Sequence, residues 1–195
     1  MLEEELIELD GPVGRCSSTA ACDIAFLLAG RRDPSARLHR VIATEGVSAD
    51  GSATRWELSF DLPALQTQLV VIVTFTYDED RQEFGSGVAA LMETAFPAPG
   101  SELERMAVSR GLSRRRVRGI WRQTMADHRP LPRPLPDAAD ALRHLRGAGG
   151  AVSDLRSLEA SVSRSGHPRW VVTGRHGRVE LRWSVRSSGG FTFSV

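Results

Sequence analysis

Between Trp56 and Leu62 apolar and polar residues alternate without exception, Trp56, Leu58, Phe60 and Leu62 against Glu57, Ser59 and Asp61. A period of two buries one face of an extended chain and leaves the other polar, so this stretch belongs in an antiparallel sheet covered on one side. Its neighbours agree. Leu38–Glu45 reads as a strand, and Ser48–Ser52, with Asp50 and Gly51, supplies the turn between the two. Gln66–Tyr77 follows, and its centre, Leu69–Val73, is apolar on both faces as a central strand requires. Leu2–Leu9, carrying Glu3, Glu4, Glu5 and Glu8, suits an edge strand kept from aggregating by charge.

Helical spacing appears elsewhere. Ala20, Ala21, Ile24, Ala25 and Leu28 mark a helix over Ser17–Ala29 with Gly30 as its stop. Val88, Leu91, Met92, Ala95 and Phe96 mark another, ended by Pro97 and Pro99. Ser101 and Glu104 form a capping box for a helix with Leu103, Met106 and Ala107 on one face. A further helix begins at Ser113, with Val117, Ile120, Trp121 and Met125 inward. Pro130, Pro132, Pro134 and Pro136 favour an extended segment, and Ala138, Ala141, Leu142 and Leu145 a last short helix. Arg169–Arg175 and Arg178–Arg186 flank His176-Gly177 as a hairpin, which sets Trp170 opposite Trp183 and Val172 opposite Leu181. Phe191, Phe193 and Val195 alternate in a final strand.

The fold class these elements predict is α+β: antiparallel sheets with packed helices and a central helix-turn-helix-like helix pair. Four regions follow: an acidic helix-plus-sheet region at 1–97, a basic helix pair at 98–128, a proline-rich linker at 129–136, and a basic helix plus β-meander at 137–195. The order of helix then about three strands recurs in 17–77 and 137–195, with an Arg-Trp pair opening one strand in each, Arg55-Trp56 and Arg169-Trp170.

Composition excludes whole classes of chemistry. All 25 basic residues are Arg, and the chain has neither Lys nor Asn, as expected of a GC-rich bacterial genome. Without Lys there is no Walker A loop, no Schiff-base enzyme and no kinase of the usual design. Gly11–Ser18 therefore reads as a helix entry capped by Ser17 or Ser18 rather than a phosphate loop. Cys16 and Cys22 suit reduced, partly buried helix residues, and no metal motif or cofactor is predicted. His39, His128, His144, His167 and His176 are scattered, so any site using them has to be assembled by the fold. No basic-apolar leader stands at the N-terminus and no apolar run is long enough for a bilayer, so a cytoplasmic, non-membrane protein is expected.

Charge is divided along the chain. Up to Glu104 there are seven Arg against 18 acids, and from Arg105 onward 18 Arg against six acids. Between Arg105 and Arg133 nine Arg face one acid, Asp127. The asymmetry expected is that of a part facing a polyanion or of two parts facing each other.

Within this basic stretch, Ala107 is followed by Gly111 four positions later, Val117 ten later and Ile120 thirteen later. Leu103–Gln123 thus resembles the helix-turn-helix family of bacterial repressors and regulators. The resemblance implies DNA binding by Ser113–Arg122 as recognition helix, with Ser113, Arg114, Arg115, Arg116, Arg118 and Arg122 at bases and phosphates, and dimerisation on paired half-sites. Arg110 stands where an apolar residue is common, leaving the first helix more exposed at its end. Arg178, Arg182 and Arg186, on the outer hairpin face with Arg169 and Arg175 around Glu180, form a secondary basic strip. The expected function is DNA binding, regulatory or architectural, without catalysis. The alternative is a non-enzymatic interaction module of chaperone-like, adaptor or immunity type. Its acidic first half, including Asp78–Glu83, would hold a protein partner while the basic half completes the fold or a dimer.

Overall fold

The computed structural model describes the chain except residues 1, 13, 66, 79–82, 96–101, 118, 120–127, 150–153, 176, 187–189 and 195, and except the side chains of 2–4, 10–12, 76–78, 83–86, 94–95 and 102–103. Among the described residues nine strands make one antiparallel sheet: β1 (Leu2–Pro12), β2 (Arg37–Glu45), β3 (Arg55–Leu62), β4 (Thr67–Asp78), β5 (Glu83–Ala95), β6 (Leu155–Val162), β7 (Pro168–Gly174), β8 (Gly177–Val185) and β9 (Phe191–Ser194). The described helices are short: α1 (Ser18–Arg32), α2 (Glu102–Ser109) and α3 (Ala138–Gly147). The expected α+β class with packed helices and a central helix pair is therefore corrected. The molecule is mostly β, and of the expected second central helix only the turn at 114–117 and residue 119 are described as helical.

Period-two sequence explains the sheet. In β3 Trp56, Leu58 and Phe60 are buried and pair with Val73, Val71 and Leu69 of β4. α1 lies on β3 and β4, burying Ala21, Ala25 and Leu28, and α3 lies on β7, burying Ala141, Leu142 and Leu145. Helices thus cover the tryptophan face.

Three sequence expectations fail in instructive ways. The helix expected at Val88–Phe96 is instead β5, where Gly87, Ala89 and Leu91 are buried. Val88, Leu91, Met92 and Ala95 satisfy helical spacing, but so short a run of small and apolar residues also satisfies a strand, and eleven register pairs with β4 decide it. The hairpin pairs Trp170 with Leu181 and Val172 with Val179, a slip of two residues from expectation. A shift of two keeps each side chain on its face, so Trp170 and Trp183 still meet, with ring centroids 6.4 Å apart. No strand was expected at Leu155–Val162, yet β6 is the strand that joins the two regions, pairing Val41 with Ala160 and Ala43 with Leu158.

Sheet order β1-β5-β4-β3-β2-β6-β7-β8-β9 has a consequence. From the central β2–β6 pair, one half runs outward as α1-β2-β3-β4-β5 and the other as α3-β6-β7-β8-β9. Side chains repeat as well. Trp56 Nε1 donates to the Cys16 carbonyl at 3.0 Å, and Trp170 Nε1 to the Pro136 carbonyl at 3.2 Å. Each acceptor lies one residue before a helix N-cap, Ser17 for α1 and Asp137 for α3. The helix starts also cap each other, because Ala138 N donates to Ser18 Oγ (2.9 Å) and Thr19 N to Asp137 Oδ2 (3.2 Å). Gly51 (φ +88°) lets the β2–β3 turn reach α3, since a Cβ there would stand 2.6 Å from Ala139 N. Cys16 precedes α1 instead of lying in it, and both cysteines are buried free thiols.

Candidate functional site

The basic segment begins with α2, which ends at a turn where Gly111 has φ +90° and Leu112 N donates to the Ala107 carbonyl (3.1 Å). A left-handed residue there is what glycine provides at a helix exit. Ser113 then starts a helical turn, its Oγ accepting from Arg116 N at 3.3 Å and its carbonyl from Val117 N at 3.1 Å. Ala107 is half-buried and Val117 is 2% exposed, whereas Met106, expected inward, is 43% exposed. Burial of Val117 turns its neighbours outward. Ser113, Arg114, Arg115 and Arg116 are all exposed, as are Arg105 and Arg110.

Several arginines of the sheet and its flanking helices are paired, Arg32 with Glu5, Arg40 with Glu159, Arg55 with Glu45 and Glu57, Arg143 with Asp140 and Arg169 with Glu180, as is Arg175 with Asp154 in the β7–β8 turn. Arg31, Arg37, Arg156 and Arg182 stand exposed, each on its own element, without an acidic partner among the described residues. Among the described residues, none of Arg105, Arg110, Arg114, Arg115 or Arg116 has an acidic partner within ion-pair distance. Arg118 and Arg122 fall outside what is described of side chains, as do Ile120, Trp121 and Met125. The secondary strip is less available. Arg178 shares Glu180 with Arg169 at 3.4 Å and Arg186 Nε donates to Thr192 Oγ1 at 2.7 Å, which leaves Arg182 exposed and without such a partner among the described residues. The acidic loop at Asp78–Glu83 has no described side chains.

A second constellation carries no motif in the sequence. On the sheet face opposite the tryptophans, a β-bulge between Leu38 and Arg40 brings His39 of β2 beside Asp61 of β3. His128, arriving from the segment that precedes α3, stacks on His39 with ring centroids 4.1 Å apart and planes at 11°. Leu131 N anchors that segment to the Leu38 carbonyl (2.8 Å), and Arg133 lies over the Phe26 ring at 3.3 Å. Asp61, 5% exposed, has Oδ1 2.9 Å from His128 Nδ1, 3.4 Å from Gln68 Nε2 and 3.8 Å from His39 Nε2. His39 Nε2 is buried and makes no hydrogen bond. Burial, then the neighbouring His128, push the His39 pKa down to about 4 against the opposing pull of Asp61, so this imidazole is neutral at pH 7. The cluster borders a cavity of about 390 Å³ that Arg40, Ser59, Arg129 and Ser161 also line.

His39 and Asp61 were within reach of sequence reasoning, because a hairpin turning at Ser48–Ser52 places residue 39 near residue 61. His128 carried no such signal. Its 67-residue separation from Asp61 leaves no local pattern that links the two. Histidine, carboxylate and amide together can relay protons or hold a metal ion, and both uses start from the same converging atoms. No helix among the described residues is long and apolar enough to cross a membrane. No protein-family model, no curated protein and no solved structure matches this chain.

Proposed function

We propose that the protein binds nucleic acid, duplex DNA in the first instance, through the basic surface that includes Arg105, Arg110, Arg114, Arg115 and Arg116. One observation carries this reading: unpaired arginines elsewhere, such as Arg31, Arg37 and Arg156, stand singly on separate elements, whereas these five crowd one segment, residues 105–116, all exposed and without a described acidic partner. Guanidinium groups left in this way are matched to phosphate oxygens, which accept their planar forks bidentately. Had the basic half been docked on the acidic half, these side chains would be covered or paired. Binding of this kind needs no fold-level relation to known regulators, since phosphate contacts supply affinity and position on any scaffold.

The test is fluorescence anisotropy of labelled duplex DNA over a salt series, with the native chain and with Arg114, Arg115 and Arg116 all changed to Ala. Each neutralised phosphate contributes about 0.9 to the slope of log K against log salt, so the triple change should lower the slope by up to about 2.7. Affinity at low salt should fall at least about tenfold, while stability stays within about 0.5 kcal/mol because these side chains are exposed. No binding at low salt by the folded protein, or equal binding by the variant, would defeat the proposal and turn attention to a protein partner of the acidic half.

A further inference from the structure

We infer that His39, Asp61 and His128 form a binding site for a divalent transition-metal ion of the zinc class. Each offers one ligand atom, and the three atoms lie within 4.8 Å of one another. A tetrahedral ion with bonds of about 2.0–2.1 Å holds its ligand atoms about 3.3 Å apart. The separations from Asp61 Oδ1, 2.9 Å to His128 Nδ1 and 3.8 Å to His39 Nε2, straddle that value. Two imidazoles with one carboxylate are a donor set suited to zinc, nickel, cobalt or ferrous iron.

A second observation points the same way, which is that protons alone satisfy this cluster poorly. His128 Nδ1 is 2.9 Å from Asp61 Oδ1, a contact that asks the nitrogen to donate, and 2.9 Å from Gln68 Nε2, a contact that asks it to accept. One nitrogen can do only one of these. Turning the Gln68 amide over exchanges its oxygen and nitrogen. Two oxygens about 3.4 Å apart then share a single proton, and buried His39 Nε2 still makes no hydrogen bond. A cation among these four acceptors answers all of them. The fourth position is completed by the turned amide or by water from the adjoining cavity.

The ring stack specifies what must move. A metal lies in the plane of each imidazole it binds, and nearly parallel rings 4.1 Å apart share no such point. Binding therefore opens the stack by turning His128, whose side chain is 23% exposed and lies outside the strands, while His39, 12% exposed, stays in place. The proton on His128 moves to Nε2 as Nδ1 takes the metal. Cys16 and Cys22 do not compete, since burial raises both thiols to about 12 and keeps them protonated.

Zinc binding by the chelator-treated native chain, measured by calorimetry, should show one ion per chain. His128→Gln and His39→Gln should each weaken it more than about 100-fold, beyond the 10–100-fold that changes outside the ligand shell cost. If His39→Gln does not fold, the cobalt-loaded native chain serves instead. Its absorption should lack thiolate charge-transfer bands, and the ring-nitrogen NMR signals of two histidines should shift on zinc addition. Absence of stoichiometric binding, unchanged affinity in His128→Gln, or a thiolate signature would each overturn the inference.

Discussion

Asp33 shows how one side chain can hold a junction. It follows α1 as its C-cap, is 1% exposed, and accepts from Ser35 N (2.8 Å), Ser35 Oγ (2.6 Å) and Ala64 N (2.9 Å). Burial opposes its ionisation, but the hydrogen bonds from Ser35, Ala64 and Leu65 together outweigh it and hold the carboxyl below its ordinary 3.8. A depressed native pKa means that the unfolded chain binds the proton more readily. The stabilisation is thus complete well above pH 3.8 and disappears as pH falls through 3.8 towards the native value. Asp33→Ala should cost about 3 kcal/mol at pH 7, since it strands donors of a buried charged acceptor. Urea unfolding at a series of pH values checks both points: the variant should lose less stability than the native chain on acidification, and parallel curves would contradict the role. At this same scale the sequence offered His39 beside Asp61, through the hairpin, but gave no sign of His128. Residue type and spacing report what lies along one element, whereas this cluster needs a bulge, a hairpin and a returning segment.

Elements were legible where a single period ran unopposed. β3 followed from Trp56, Leu58, Phe60 and Leu62, and α1 from the spacing of Ala21, Ala25 and Leu28. β5 was misread because its small residues fit two periods at once. β6 alternates Leu158, Ala160 and Val162 with Ser157, Glu159 and Ser161, but these smaller apolar residues in so short a run give a weaker period-two signal than the large residues of β3. The paired indole contacts give a direct test of the repeated half. Trp56→Phe and Trp170→Phe should each cost about 2–3 kcal/mol, because each leaves a cavity and removes the indole donor to the carbonyl that precedes a helix. Similar losses in denaturant unfolding are expected. A negligible loss in one of them would show that the two helix-to-strand junctions are not equivalent.

At the scale of the molecule, the β2–β6 pairing decides the behaviour, because it joins strands on either side of the proline-rich segment in one sheet. One continuous sheet should unfold in a single transition. Native-state hydrogen exchange should find the slowest amides in β2, β3, β6 and β7 and faster ones in the edge strands β1 and β9. Separate melting of residues 137–195 would contradict this. Charge is arranged over the same frame: β1 carries exposed Glu5 and Glu8 at one edge, while exposed Arg182 stands on β8 next to the other. A polyanion should accordingly avoid the β1 edge. The most direct measurement is hydrogen exchange by mass spectrometry with and without saturating duplex DNA at low salt. Protection concentrated in 105–117, with β1 unchanged, is the expected result; protection absent from that segment, or placed along β1, would contradict the assignment of the basic face.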